Sequence, residues 1–364
     1  MPNVPPLRFP EFSGEWGKCT LGEIMSYSKD RVPSNTLTDD NYVSTENMLP
    51  QFGGIYRAQN APSNGSAIAY QKGDTLLSNI RPYLKKVWLA NNNGGCSADV
   101  FVLKSVNEKC NSDFLYYLVA NDNFISYVMN GAKGVKMPRG DKEQIKKYQL
   151  SIPSKKEQCK ITELLSKLDQ RIATQIRVID KLESLIKGIR ATVFNNVQPN
   201  TKLGEIADIY QPQTIASTEC NRGQYLVFGA NGVIGRYEQY NHEQPQICIT
   251  CRGNTCGTVN FSEPFSWITG NAMVINIDNN KEVNKRYLFH YLSTQNFHHI
   301  ISGSGQPQIV RSPLLKFPIY LPSMQTQVKL AEMLDLLRSR LKTEQDILEK
   351  YQQQKAYLLQ NMFI

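Results

Sequence analysis

Three cysteines and two pairs of polar loops, one pair of them Gly-rich, are the residues here whose types and spacing invite chemistry. Cys248-x2-Cys251-x4-Cys256, joined by one of His242, His290, His298 or His299, has the donors for a tetrahedral zinc ion. The matching stretch of the first half, Thr75 to Arg81, contains no cysteine. A ligand set carried by one copy of a repeated sequence reads as coincidence, so no metal is assigned.

The loops point elsewhere. Arg81-Pro82-Tyr83-Leu84-Lys85-Lys86 is matched by Arg252-Gly253-Asn254-Thr255 in the second half. An arginine at a strand end can offer its planar fork to guanine or phosphate, and an asparagine can pair with adenine. The second pair is Gly131-Ala132-Lys133-Gly134-Val135-Lys136-Met137-Pro138-Arg139-Gly140 and Gly303-Ser304-Gly305-Gln306-Pro307-Gln308-Ile309-Val310-Arg311. Arg139 and Arg311 align at an offset of 172, while Lys133 and Lys136 give way to the amides Gln306 and Gln308. Arg81, Lys85, Lys86, Lys133, Lys136, Arg139, Arg252, Asn254, Gln306, Gln308 and Arg311 are therefore the candidate DNA contacts, some positioning the backbone and some reading bases. A solvated turn is the plain alternative for each. The formal charge of +9 favours a polyanionic partner without requiring one.

Catalytic signatures are missing. No GxxxxGK[ST] occurs, and Gly229-Ala230-Asn231-Gly232-Val233-Ile234-Gly235 lacks GxGxxG spacing and reads as a turn. The only Pro-Pro pair, Pro5-Pro6, is not in a methyltransferase loop, and carboxylates are too dispersed for a nuclease metal site. Ser304 in Gly303-Ser304-Gly305 fails the spacing of a nucleophile turn. The start of the chain has no secretory run, and no stretch approaches the roughly 20 apolar residues of a membrane span, so a cytosolic protein with no membrane partner is expected. The eight scattered cysteines show no disulfide framework.

The elements that must position these loops occur twice. Leu21-Gly22-Glu23-Ile24 recurs as Leu203-Gly204-Glu205-Ile206, Asp99 to Leu103 as Asn271 to Ile275, Phe114 to Tyr117 as Tyr287 to His290, and Ile152-Pro153 as Leu321-Pro322. Each half orders a short helix, strands with Gly/Asn-rich loops, an aromatic helix, a Gly-rich loop, a strand ending in proline and a long helix. Strands are read at Thr75 to Ile80, Val100 to Leu103, Ile247 to Thr250 and Met273 to Ile277. The fold class is α+β in two repeated globular domains with pseudo-twofold arrangement, at 1–156 and 197–325, each followed by a long helix at 157–196 and 326–364.

The helices carry the strongest periodicity. Apolar residues at Ile161, Leu165, Leu168, Ile172, Ile179, Leu182, Ile186, Ile189 and Val193 alternate four and three apart, with one gap at Gln175. The second tail runs Leu330, Leu334, Leu337, Leu341, Glu344, Leu348, Tyr351, Lys355, Leu358, Met362 in the same register. Paired antiparallel as a coiled coil, the helices would bring Gln175 opposite Glu344, a polar layer that fixes register at some cost in stability. Each helix would span about 60 Å. Packing of each helix on its own domain is the alternative.

The chain resembles the specificity subunits of type I restriction-modification systems over essentially its whole length. The resemblance rests on Leu7-Arg8-Phe9-Pro10-Glu11-Phe12, Trp16, the two Leu-Gly-Glu-Ile segments, the Ile152-Pro153 and Leu321-Pro322 strand ends running into long helices, and Gly229-Ala230-Asn231-Gly232. It implies two target recognition domains, each reading half of a bipartite duplex DNA target in a bacterial or archaeal cytoplasm. The helices would act as a spacer ruler and dock two modification (methyltransferase) subunits, with restriction (endonuclease and translocase) subunits completing the complex. The chain would be non-catalytic and without cofactor; S-adenosylmethionine, ATP and magnesium would belong to the partners. The competing readings are a stand-alone nuclease or methyltransferase, and a protein-binding scaffold.

Overall fold

The computed structural model describes residues 3–364 except 107, 135, 196, 221, 230 and 304. Val135, Ala230 and Ser304 of the Gly-rich segments, and Asn196 at the expected end of the first long helix, thus lie outside the described residues. Two compact units form, one from residues 1–174 and 348–364 and the other from residues 175–347.

Each unit is built on a four-stranded antiparallel sheet with the same order. In the first unit it runs Met25–Tyr27, Val100–Ser105, Thr75–Ser78, Val87–Leu89; in the second, Asp208–Tyr210, Ala272–Asn276, Ile247–Thr250, Val259–Phe261. A second sheet accompanies each, four-stranded in the first unit and three-stranded in the second. The central strands Thr75–Ser78 and Ile247–Thr250 are buried along their whole length, which explains why Leu76 and Leu77, and Ile247, Cys248 and Ile249, follow one another without polar alternation.

The repeated Leu-Gly-Glu-Ile is a one-turn helix in both units, Leu21–Ile24 and Leu203–Ile206. Its glutamate reaches back to the backbone N–H before the helix, Glu23 to Thr20 at 2.8 Å and Glu205 to Lys202 at 3.2 Å. Its glycine is needed for close approach: a Cβ on Gly22 would stand 3.0 Å from Lys146 Cβ, and one on Gly204 2.8 Å from the Leu315 carbonyl oxygen.

The long helices run Lys155–Phe194 and Met324–Asn361. Within the first unit, Ile161, Leu165 and Leu168 from the start of one share a core with Leu358, Leu359 and Met362 from the end of the other. Within the second, Ala331 and Leu334 share a core with Ile189, Val193 and Phe194. Start meets end both times, so the pairing is antiparallel. Every expected seam residue, including Leu165, Leu168, Ile172, Gln175, Ile179, Leu334, Leu337, Leu341, Glu344 and Leu348, is buried or half-buried. Lys355, in the register without being apolar, is accommodated by an ion pair to Asp169 at 2.6 Å, beside the Tyr117 hydroxyl that donates to the same carboxylate at 2.8 Å.

A matched pair of buried glutamines fastens each helix start to its sheet domain. Gln158 accepts from Asn111 N at 2.9 Å and donates to the carbonyls of Lys109 and Pro153; Gln327 accepts from Asn284 N at 2.8 Å and donates to those of Glu282 and Pro322. Sequence reasoning passed over both, since a glutamine on a polar helix carries no visible signal.

Candidate nucleic-acid interface

The two loop types, distant in sequence, meet in each unit. In the first, Arg81 N donates to the Pro138 carbonyl at 2.8 Å and Gly140 N to that of Asn79 at 3.1 Å. In the second, Gly253 N donates to the Pro307 carbonyl and Ile309 N to that of Cys251, both at 3.0 Å. Each Gly-rich loop is closed by a reciprocal backbone pair, Lys133 with Arg139 and Ser302 with Gln308. Gly134 and Gly303 take the positive φ these turns need, +97° and +90°.

This geometry corrects two alignments made from sequence. Ile80 bridges Arg139 as Arg252 bridges Gln308, so Gln308 is the counterpart of Arg139 and Arg252 that of Ile80. Arg81 corresponds to Gly253, which makes the same bond and also has positive φ, +51° against +86°. Arg311 opens the helix Arg311–Leu315 as Lys142 opens Lys142–Lys146, and is not the partner of Arg139. Spacing by side-chain type failed here because loops conserve backbone bonds, not charges.

The structure also sorts the candidate residues by what their side chains already hold. Lys85 pairs with Asp122 at 2.8 Å, and Lys86 donates to the Thr45 carbonyl at 2.6 Å; burial pushes the Lys86 ammonium below its ordinary pKa. Lys133 binds Asp141 at 2.7 Å and Arg139 binds Asp99 at 3.2 Å. Asp141 also caps the Lys142–Lys146 helix, and the bond from Lys133, together with those from Gln144 N and Glu143 N, holds its carboxyl down to about 2. Arg311 donates to the Ile209 carbonyl at 2.5 Å. Arg81, Lys136, Arg252, Asn254, Gln306 and Gln308 are exposed and make no side-chain bond to another described residue. The loops thus present unpaired polar and cationic tips on braced backbone, the residue types that phosphate and base-edge contacts use.

The three cysteines do not converge. Cys248 lies in a core cluster with Phe228 and Val274, whereas Cys251 lies in another with Ile249 and Phe297. Burial pushes the Cys248 thiol up to about 12. Among the described residues, no three His, Cys, Asp or Glu side chains gather to hold a metal ion, and no helix is long and apolar enough to cross a membrane.

A family model described as the type I restriction modification DNA specificity domain matches residues 13–184 and again 197–353. The chain is similar to the type I restriction enzyme EcoprrI specificity subunit of Escherichia coli, 28% identical over 111 residues, which are 30% of this chain and 27% of that protein's length. It is 22% identical to the type I restriction enzyme MjaVIII specificity subunit of Methanocaldococcus jannaschii across 96% of this chain and 91% of that protein. A crystal structure of the S subunit of a type I restriction-modification system from M. genitalium superposes with a TM-score of 0.69 at 18% identity, covering 99% of each chain. At that identity the likeness concerns the fold.

Proposed function

The chain belongs to the type I restriction modification DNA specificity domain family, and from that premise we propose that it is a non-catalytic recognition subunit whose two domains each read half of a bipartite duplex target. One observation carries this reading: each unit docks its strand-end turn on its Gly-rich loop through the same backbone bond, Arg81 to Pro138 and Gly253 to Pro307, while the side chains that bond displays differ between copies. A shared scaffold with different tips suits two different half-sequences.

The long helices set the separation of the half-sites and dock two modification subunits, with restriction subunits completing the nuclease. Exposed apolar side chains along them, Ile176, Leu185 and above all Leu336 at 72% exposure, support a protein partner. Methyl donor, ATP and magnesium are then used by those partner subunits and not by this chain.

Methylation mapping of DNA from cells expressing the chain with its cognate modification subunit tests the reading. A split motif that disappears when the chain is omitted is expected. An unchanged pattern would favour a scaffold, and turnover by the purified chain alone would overturn the non-catalytic role.

A further inference from the structure

We propose that Arg81 reads a base edge in the first half-site, a guanine by the chemistry of its fork, and is not a phosphate clamp; the inference rests on the recognition role above. Arg81 holds φ 51° and ψ 61°, the left-handed conformation that costs a side-chain-bearing residue free energy. Its counterpart in the second unit is Gly253, which adopts the same region without that cost. The fold accepts glycine at this corner, so the arginine is retained against local conformational preference.

The corner is also unusually fixed. Arg81 N is bound to Pro138 O, and Arg81 O accepts from Leu84 N at 2.9 Å across the Pro82–Leu84 turn. Lys85, at the far end, is left-handed too, with φ 55°. Gln51 and Phe52, both left-handed, donate from their backbone to the carbonyls of Leu84 and Lys85 at 2.9 and 2.8 Å. The turn is therefore tied to two separate segments of the chain.

A phosphate is a forgiving target that a flexible lysine satisfies, whereas bidentate contact with guanine O6 and N7 is made best by a planar fork at a set position and angle. Rigid backbone, a guanidinium bonded to no other described side chain, and neutralised neighbours in Lys85 and Arg139 fit the second requirement. The second unit lacks this device: its arginine, Arg252, sits one residue earlier, on the strand-end bridge.

Arg81→Lys and Arg81→Gly, each assembled with the modification subunit, test this by motif mapping and by binding to duplex at varied salt. Arg81→Lys is expected to keep the salt dependence of wild type but to lose about tenfold or more in discrimination at one G·C pair of the first half-site. Wild type should lose similar affinity when that guanine is replaced by 7-deazaguanine, and Arg81→Gly should not. Arg81→Gly is expected to melt at or above the wild-type temperature while relaxing the same position, which separates reading from folding. Arg81→Gly with unchanged discrimination and a salt slope lower by about 1 would overturn the proposal and make the residue a phosphate contact. Absence of any split motif with wild type would instead overturn the recognition role itself.

Discussion

Gln175 donates through Nε2 to both the backbone carbonyl, at 2.9 Å, and the carboxylate of Glu344, the residue 169 positions later that holds its own place in the second long helix. Glu344 is nearly buried and also pairs with Arg340 one turn earlier. Gln175→Leu is expected to lower stability by about 1–3 kcal/mol, because the carboxylate keeps its burial and loses a donor. Changing both residues to Leu should raise the melting temperature above wild type while weakening the single helical register. A double variant that melts lower than wild type would show that the layer stabilises outright.

The free and the tied cations should separate in salt titrations of DNA binding. Lys136→Ala and Arg252→Ala are each expected to weaken binding and lower the slope of log K against log salt by about 1, as loss of a phosphate contact does. Lys86→Ala removes the bond to the Thr45 carbonyl, so it should cost about 1 kcal/mol of stability and leave the slope unchanged. Equal slopes for all three would refute the sorting.

His290 is wholly buried, with Nε2 2.8 Å from Asp335 and Nδ1 3.3 Å from an Arg190 Nη. Burial disfavours its cation, helped by Arg190 and Arg338, and outweighs the attraction of Asp335, bringing its pKa down to about 4. The unfolded histidine takes up a proton near pH 6.5, so stability should fall as pH drops from about 6.5 to about 4, by on the order of 3 kcal/mol, and be fully present above that window. Asp335, which burial raises but bonds from Arg286 and His290 hold below its ordinary value, adds a loss only in stronger acid. Melting temperatures between pH 4 and 7 should show a shallower slope for His290→Gln than for wild type.

The long helices, their polar midpoint and the repeated sheet were legible in the sequence because heptad spacing and self-similarity are properties of side-chain type. The loops were legible only as places. Which cation is free depended on partners far along the chain, Asp122 for Lys85 and Asp99 for Arg139, and the pairing of Arg81 with Gly253 was hidden because a backbone bond leaves no mark on residue identity. Gln158 and Gln327 were missed for the same reason: their work is done on main-chain groups.

The ruler role proposed for the helices makes a quantitative demand on them. Deleting one heptad from each, on the same side of the Gln175–Glu344 layer, preserves the a/d seam and the polar contact, so both cores should survive. Seven residues of helix amount to about 10 Å, which is about three base pairs of duplex. Methylation mapping is expected to return the same two half-sequences with an unread spacer about three base pairs shorter, or no methylation where DNA cannot adjust its twist to the new phase. An unaltered spacer would mean that something other than helix length sets the distance between half-sites.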